Sequence, residues 1–361
     1  MQAAVDSGVF PGAVLLVRYR GAIRFHRAFG QASLLPSPTP ARLETVYDLA
    51  SLTKPLATAT SLLLLMQDGR LSLDEPIVSW FGELQPRPLG LATVRHLLAH
   101  CSGLPPWRAY YERIAERDRR ERGFLGSPTA KEAVSAYLRD EELLAPVATK
   151  TAYSDLGFIL LGFLIERLAG CSLASFVEER IVAPLHARPL GFRPDTWPGF
   201  DPQAVAATEE DAWRGRVLRG IVHDENAHAL GGVAGHAGLF GTADAVLALS
   251  GAWLAAVRGQ PSMLDAALAR EFVRRQDLLV GSSWALGWDT PSAPSSSGTR
   301  LSPKSFGHLG YTGTSLWVDP EQELEVVLLS NRVHPTRRND KIREFRPKIH
   351  DIICQELIAD S

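Results

Sequence analysis

The chain has 361 residues, 45% of them hydrophobic, and its formal net charge at pH 7 is −2. This length can bury a large hydrophobic core, and the near-neutral, well-mixed charge argues against nucleic acid or an anionic membrane as a partner. The three cysteines are too few and too scattered for a disulfide framework or a cysteine zinc site, so we interpret them as reduced thiols.

The first residues contain no basic segment followed by an apolar one, which is the pattern of a secretory signal peptide. No apolar run approaches the ~20 residues that a membrane-spanning helix needs. If the sequence begins at its natural start, these features predict a cytoplasmic protein that does not enter a membrane. A leader missing from the sequence would instead make the protein an exported one.

The N-terminal elements are predicted to be strands. Residues 12–17 and 22–29 are apolar or β-branched runs separated by a turn-forming Arg-Gly pair, a pattern typical of a β-hairpin. The proline-rich connector 36–40 predicts a loop. The apolar residues 56–66 then predict a buried helix.

Ser51 and Lys54 lie immediately before that buried helix. Residues three apart are neighbours on a helical surface, so the two side chains should share a face. Pro55 lacks an N–H, which predicts that the helix begins close to Ser51 and places the serine near the positive end of the helix dipole. An amine in a low-dielectric pocket can lose its proton and then accept the proton of a serine. An isolated Ser-x-x-Lys pattern is more typical of a capped, exposed helix start. Interpreting this pair as catalytic therefore requires further matching motifs later in the sequence.

The remaining elements complete a pattern of strands at both ends. The pattern from 94 to about 241 predicts mainly helices, whereas 316–318 and 325–330 predict short strands, followed by a helix over roughly 341–359. Strands at both ends of a chain with helices between them predict an α+β fold.

We therefore expect one α/β lobe built from about 1–60 and 242–361, with a mainly helical lobe, about 61–241, inserted between its two parts. The cleft between two such lobes is a natural place for a binding site.

Tyr153-Ser154-Asp155 comes directly before an apolar helical segment. A phenol next to a cationic lysine can have a lowered pKa, and it can then carry a proton between a serine oxygen and a leaving group. Each residue also has an ordinary structural interpretation. Tyr153 is typical of a half-buried aromatic residue, and Asp155 of a helix N-cap.

His308-Leu309-Gly310-Tyr311 begins the last polar motif, within a glycine-rich stretch over 307–313. Glycines among β-branched residues predict a strand edge where the backbone approaches a ligand closely. A free N–H there, together with the N–H of Ser51, could form an oxyanion hole. The alternative is a tight hairpin that binds no ligand.

Together, these motifs resemble those of the serine β-lactamase and penicillin-binding-protein superfamily. The closest branch contains class C β-lactamases, DD-carboxypeptidases and family VIII carboxylesterases. The motifs are Ser51-x-x-Lys54, Tyr153-x-Asp155 and His308-x-Gly310, with further similar stretches at 10–13, 93–104 and 231–243. The resemblance implies a β-lactamase/transpeptidase-like fold, in which an antiparallel sheet is flanked by terminal helices and a mainly helical lobe is inserted.

The resemblance also implies a role for each motif residue. Ser51 would be the acylated nucleophile, Lys54 its proton partner, and Tyr153 the general base and later the acid. The backbone N–H groups of Ser51 and Tyr311 would bind the oxyanion. His308 would line the far wall of the cleft, and neither a metal nor an organic cofactor is implied.

Asp155, His308, Gly310 and His236 are the predicted substrate-binding residues, and two of them depart from the family pattern. Asp155 stands where the family usually has Asn, and a carboxylate cannot donate a hydrogen bond to a substrate carbonyl. The aspartate should also keep Lys54 protonated, which shifts base catalysis towards Tyr153. His308 stands where class C β-lactamases have Lys, and a neutral imidazole is a weaker anchor for a carboxylate.

Both departures favour esters or amides that lack a β-lactam carboxylate. The sequence therefore predicts a serine hydrolase that forms an acyl-Ser51 intermediate and acts as an esterase or amidase on small acyl substrates. The alternatives are a DD-carboxypeptidase or β-lactamase, and a penicillin-binding sensor that acylates without turnover. The expected partners are small ester, amide or β-lactam molecules, and the sequence sets no oligomeric state.

Other polar residues are given structural interpretations. His96 and His100 are four apart but lack the glutamate of a metalloprotease motif, so we predict structural hydrogen bonds for them. The histidines of 223–228, with His236, are predicted to form cleft wall and loop scaffolding and no metal site. Arg332 or Arg337 offers a minor alternative, in which an arginine facing the cleft attracts an anionic substrate.

Overall fold

A computed structural model describes residues 1–358, and strands from both ends of that range form its main sheet. The strands within these residues are β1 (Gly12–Tyr19), β2 (Ala22–Ser33), β3 (Thr39–Pro40), β4 (Tyr47–Asp48), β5 (Leu190–Phe192), β6 (Glu210–Asp211), β7 (Arg216–Val217), β8 (Leu239–Gly241), β9 (Phe306–Leu309), β10 (Ser315–Asp319) and β11 (Leu324–Ser330). The main sheet has the order β3-β2-β1-β11-β10-β9, and every neighbouring pair is antiparallel.

The helices lie mainly between the two groups of strands. The α-helices of residues 1–358 are α1 (Gln2–Asp6), α2 (Thr60–Gln67), α3 (Val94–Leu98), α4 (Tyr110–Arg120), α5 (Pro128–Arg139), α6 (Asp155–Ala169), α7 (Leu173–Val177), α8 (Ala183–Leu185), α9 (Glu225–Ala229), α10 (Ala243–Val257), α11 (Ala266–Val273) and α12 (Ile342–Ile358). A 3₁₀ turn, Ala50–Leu52, and a π-helical segment, Lys54–Ala59, precede α2.

The two faces of the main sheet are covered by different helices, because alternate residues of a strand point to opposite sides. Leu16 and Val327 belong to the large core that also contains the apolar residues of α2, α6 and α10. Leu15 and Val326 lie on the other face, in a smaller core with residues of α1 and α12. These layers confirm the predicted α+β class with an antiparallel sheet flanked by terminal helices.

Several predicted elements are confirmed with adjusted ends. The N-terminal hairpin pairs β1 with β2, and its strands extend further than predicted. The strands predicted at 316–318 and 325–330 correspond to β10 and β11. The last helix runs over Ile342–Ile358, and its predicted end at residue 359 lies outside the described residues.

The boundaries of the two predicted lobes stay a prediction. β4 comes from the predicted α/β lobe, whereas β5 and β8 come from the predicted helical lobe, and the three form one small antiparallel sheet. This small sheet therefore joins the two predicted lobes directly beside Ser51.

Within residues 1–358, no single helix is both long and apolar enough to cross a membrane. One bent pair, Asp155–Ala169 with Leu173–Leu185 at 75°, meets that criterion jointly, on length and composition alone.

Candidate active site

The turn that carries Ser51 is held by the buried side chain of Asp48. Its Oδ1 accepts the Ala50 N–H at 2.8 Å, and its Oδ2 accepts the His223 N–H at 2.7 Å. Ala50 has a φ of +47°, a left-handed conformation that a β-carbon disfavours. Asp48 thus fixes an unfavourable turn immediately before the serine and ties it to the loop that contains His223.

Lys54 lies at the floor of the site, and its side chain is fully buried. Its Nζ is 3.1 Å from Ser51 Oγ, which confirms that the two side chains share a helical face. The same Nζ is 2.7 Å from Asp155 Oδ1 and donates to the His236 carbonyl oxygen at 3.2 Å. The ammonium is therefore held by a carboxylate and a carbonyl, and it also contacts the serine oxygen.

The charge state of this lysine follows from its neighbours. Burial lowers the pKa of Lys54, but the charge and hydrogen bond of Asp155, together with Tyr153, outweigh burial and raise it above its ordinary value. Lys54 is thus an ammonium at neutral pH, as expected for aspartate in place of asparagine. Burial can in general remove a lysine's proton, but it does not do so at Lys54, because the Asp155 carboxylate is too close.

Tyr153 is half-buried beside this pair and borders the cavity above them, and its phenol is within hydrogen-bonding reach of Ser51 and Lys54. Burial raises the pKa of Tyr153, and the positive charge of Lys54 opposes this only in part, so that its pKa lies above the ordinary value. The predicted lowering of the Tyr153 pKa is wrong, because burial and the negative charge of Asp155 outweigh the lysine.

The start of α6 positions Tyr153 and Asp155. Ser154, and not Asp155, is the N-cap: its Oγ accepts the Gly157 N–H at 3.3 Å and donates to the Pro105 carbonyl oxygen at 2.7 Å. The Ser154 N–H donates to His100 Nδ1 at 3.0 Å. These bonds fasten the helix start to the preceding loop, so Asp155 is free to pair with Lys54.

Aromatic rings support Tyr153 from behind. The ring centroid of Tyr153 lies 4.6 Å from that of His100, 5.4 Å from that of Trp284 and 6.0 Å from that of His308. His308 is buried, and burial followed by the charge of Lys54 lowers its pKa to about 3, so its imidazole is neutral. His308 therefore packs behind the tyrosine, where we had predicted that it would line the far wall.

Gly310 is required by packing within the protein. A β-carbon at this position would lie 1.9 Å from Thr314 Oγ1 and 2.6 Å from the Leu49 carbonyl oxygen. The backbone therefore comes close to the turn that precedes Ser51, where the sequence had suggested a close approach to a ligand. Among the described residues, the lining of the central cavity includes neither Gly310 nor His308.

The turn between β9 and β10 is attached to the Ser51 turn by two hydroxyl groups. Thr312 Oγ1 donates to the Asp48 carbonyl oxygen at 2.7 Å, and Thr314 Oγ1 donates to the Leu49 carbonyl oxygen at 3.0 Å. Within residues 1–358, neither the Ser51 N–H nor the Tyr311 N–H donates a hydrogen bond to another residue. Both donors thus remain free for a ligand oxygen.

A cavity of about 310 Å³ opens above the serine. It brings together Ser51, Tyr153, Asp155, His236 and Tyr311, five of the predicted site residues, while Lys54 lies beneath it. The other lining residues are Ala50, Trp107, Tyr111, His223, Asp224, Glu225, Ala237 and Arg337.

The arginine in this wall is already paired. Arg337 Nε lies 2.5 Å from Glu209 Oε2, and its Nη2 lies 2.7 Å from Glu225 Oε1. Arg332 lies over the Tyr311 ring, with its Cζ 4.5 Å from the ring centroid. The charge of Arg337 is therefore paired with carboxylates, and Arg332 is not among the described residues that line the cavity, which weakens the alternative of an anionic substrate attracted there.

Histidine side chains serve mainly as scaffolding. His96 Nδ1 accepts the Thr93 N–H at the start of α3, and His100 accepts that of Ser154, so the predicted structural hydrogen bonds are confirmed. His236 Nε2 lies 2.8 Å from Asp224 Oδ1. Across residues 1–358, no group of three or more His, Cys, Asp or Glu side chains is placed to hold a metal ion.

Trp107, Tyr111 and Asp48 were missed by the sequence analysis. Trp107 follows a Ser-Gly-Leu-Pro-Pro turn, and an aromatic residue on such a loop could have been predicted to be a binding residue. No comparable signal marks Asp48, because its role depends on the distant His223.

Comparison with known proteins adds family relationships to this geometry. A family model described as Beta-lactamase matches residues 1–349. A protein of Escherichia coli (strain K12) with the provisional name D-alanyl-D-alanine carboxypeptidase is 32% identical over 357 residues, covering 91% of this chain and 80% of that protein. A protein of Salmonella agona (strain SL483) with the same provisional name is 30% identical over 369 residues, covering 95% of this chain and 83% of that protein.

Solved structures share the fold. EstCE1, described as a hydrolase with promiscuous acyltransferase activity, has a TM-score of 0.72 and 24% identity, with 96% of each chain covered. The octameric penicillin-binding protein homologue from Pyrococcus abyssi has a TM-score of 0.68 and 24% identity, covering 91% of this chain and 71% of that one. At these identities, the likeness concerns the fold.

Proposed function

The chain belongs to the Beta-lactamase family and is a serine hydrolase, and we propose that it cleaves small esters and amides through an acyl-enzyme on Ser51. The observation that carries the proposal is the contact of Lys54 Nζ with Ser51 Oγ at 3.1 Å and with Asp155 Oδ1 at 2.7 Å, beneath a cavity. The preference for substrates without a carboxylate is supported by Arg337, the arginine in the cavity wall, whose charge is already paired with Glu209 and Glu225.

In the proposed mechanism, the reactive form has lost one proton that Lys54 and Tyr153 share. Ser51 Oγ attacks the acyl carbonyl while its proton passes to this pair. The N–H groups of Ser51 and Tyr311 stabilise the oxyanion. Collapse of the tetrahedral intermediate breaks the bond to the leaving group, which takes the proton from the pair. Water then repeats these steps on the acyl-Ser51 ester and releases the acid.

The pH dependence of the acylation rate follows from the two raised pKa values. Because Lys54 and Tyr153 both hold their protons above their ordinary pKa values, the reactive form is scarce at neutral pH. We expect kcat/KM for a short p-nitrophenyl ester to rise with pH by about tenfold per unit on the alkaline side of neutrality. A bell-shaped profile with a maximum near neutral pH would contradict this.

Asp155→Asn should move this alkaline limb to lower pH. The carboxylate is the largest influence that raises the pKa of Lys54, and without it burial lowers that pKa. The measurement is the pH profile of kcat/KM for the same ester. Asp224→Asn is the matched control, since Asp224 borders the same cavity but pairs with His236. The alkaline limb of the pH profile of this variant should lie at the same pH as in the wild type. An unmoved limb in Asp155→Asn would mean that this carboxylate does not set the lysine's charge.

A DD-carboxypeptidase activity is the second candidate, favoured by the provisional names of the curated relatives at 30% and 32% identity. Its test is release of D-alanine from a diacylated Lys-D-Ala-D-Ala peptide, measured beside ester hydrolysis. Peptide turnover with kcat/KM above that of short esters would replace the esterase proposal.

Intact mass spectrometry with parallel product release separates the remaining alternatives. We expect steady turnover of a p-nitrophenyl ester and little reaction with a chromogenic cephalosporin. Steady cephalosporin turnover would indicate a β-lactamase. One equivalent of product, with a stable mass adduct, would indicate a sensor.

A further inference from the structure

A second cavity, of about 690 Å³, adjoins the one above Ser51. Tyr111 borders both cavities, so one aromatic side chain forms the shared wall. Beyond Tyr111, the second cavity is bordered by Trp213, from the turn between β6 and β7, and by His228 of α9. The two cavities therefore meet at Tyr111, close enough for one extended substrate to contact both.

An aromatic row follows this direction. The ring centroids of Trp107 and Tyr111 are 6.3 Å apart, those of Tyr111 and Trp213 4.8 Å, and those of Trp213 and His228 5.6 Å. Trp107 is 41% exposed and Trp213 37% exposed, which is unusual for the largest apolar side chain. A partly exposed tryptophan with polar groups nearby suits a ligand that has both apolar and hydrated surfaces.

The polar groups of the second cavity carry both signs and both hydrogen-bonding roles. Arg119 makes no hydrogen bond or ion pair with another described residue, so it is a free donor. Asp118 Oδ1 accepts the Leu125 N–H at 2.8 Å, and its other oxygen is a free acceptor. Burial, with nearby arginines, lowers the pKa of His228 to about 4, so its neutral ring can donate and accept.

This mixture narrows the class of ligand. The lining contains two carboxylates, Glu112 and Asp118, and two arginines, Arg119 and Arg214, and this balance of charge favours a neutral ligand over an ion. Its aliphatic side chains, Ala115 and Leu125, are too few for a long acyl chain. A saccharide has apolar ring faces for aromatic side chains and hydroxyl groups that both donate and accept. It is the class that uses all the chemistry found in the second cavity.

We propose that this second cavity binds a saccharide unit carried by the substrate whose acyl group reacts at Ser51. The inference rests on the proposed function, because it assumes that the acyl group of the same substrate binds next to the second cavity, at Ser51.

The test is calorimetric titration of the purified protein with two neutral probes, cellotetraose and tetra-N-acetylchitotetraose. We expect at least one probe to bind, and Trp213→Ala to weaken that binding by roughly three- to tenfold, the equivalent of one lost aromatic contact. Trp213→Phe should keep most of the affinity because it keeps an aromatic face. Trp80→Ala is the matched control, since Trp80 is half-buried and borders neither cavity. This variant should bind the saccharide probe with the affinity of the wild type.

Arg119→Ala gives a second variant in case Trp213→Ala fails to fold, and it should also weaken binding. Failure of both probes to bind, or equal affinity in all variants, would overturn the saccharide proposal. So would binding of trialanine, but not of the saccharides, with the same dependence on Trp213. Turnover of p-nitrophenyl acetate by the same wild-type sample reports separately on the proposed function. Turnover without saccharide binding defeats this inference and leaves the proposed function standing. Binding without turnover defeats the proposed hydrolysis, and with it the link between the saccharide and an acyl group at Ser51.

Discussion

Ser51→Ala should lower kcat for p-nitrophenyl acetate by roughly five to six orders of magnitude and abolish the acyl adduct in the intact mass. The change removes the only atom that the proposed mechanism acylates, whereas the N–H donors and the cavity stay in place. Lys54 keeps its bonds to Asp155 and to the His236 carbonyl oxygen, so we expect the variant to fold. Circular dichroism and a thermal melt would check this directly.

Ser61→Ala is the matched control for that substitution. Ser61 lies in α2, the helix that follows the Ser51 turn, and its buried hydroxyl has no hydrogen-bond partner among the described residues. The same chemical change should therefore leave ester turnover and the adduct as in the wild type. Ester turnover in Ser51→Ala close to that of Ser61→Ala would show that hydrolysis does not pass through Ser51.

Local contacts of the site could be predicted from the sequence. Ser51 and Lys54 are three residues apart, so helical geometry alone brings them together, and the observed Nζ–Oγ distance of 3.1 Å agrees. The hairpin of β1 and β2 and the strands β10 and β11 were likewise visible in short-range patterns. These features depend on neighbouring residues, which is what a sequence pattern reports.

Features that depend on burial or on distant contacts could not be predicted in the same way. The pKa of Tyr153 was predicted to fall because a lysine is near, but the direction of its shift is set by the loss of water around the phenol, which depends on the whole fold. Asp48 holds its turn through a residue 175 positions away, and the His236 carbonyl oxygen reaches Lys54 across 182 positions. The position of His308 behind Tyr153 follows from the packing of Trp284 and His100, which no motif records.

Tyr153→Phe and Lys54→Met should each reduce kcat/KM for the short ester by roughly 10²- to 10⁴-fold, the range of general acid–base catalysis. Tyr153→Phe keeps the ring packing against His100 and Trp284, so its effect isolates the phenol oxygen. Lys54→Met keeps the buried chain length, but it leaves Asp155 without its ion-pair partner and should lower the melting temperature as well.

The double variant, Lys54→Met with Tyr153→Phe, tests whether the two residues share one proton. If they do, removing the second partner removes nothing further, and the double variant should be about as slow as the slower single variant. Losses that multiply would instead indicate two independent catalytic groups and would contradict the shared-proton mechanism. The wild type, the two single variants and the double variant should be compared at the same pH on the alkaline limb. Differences in rate then do not arise from measuring the enzymes at different pH values.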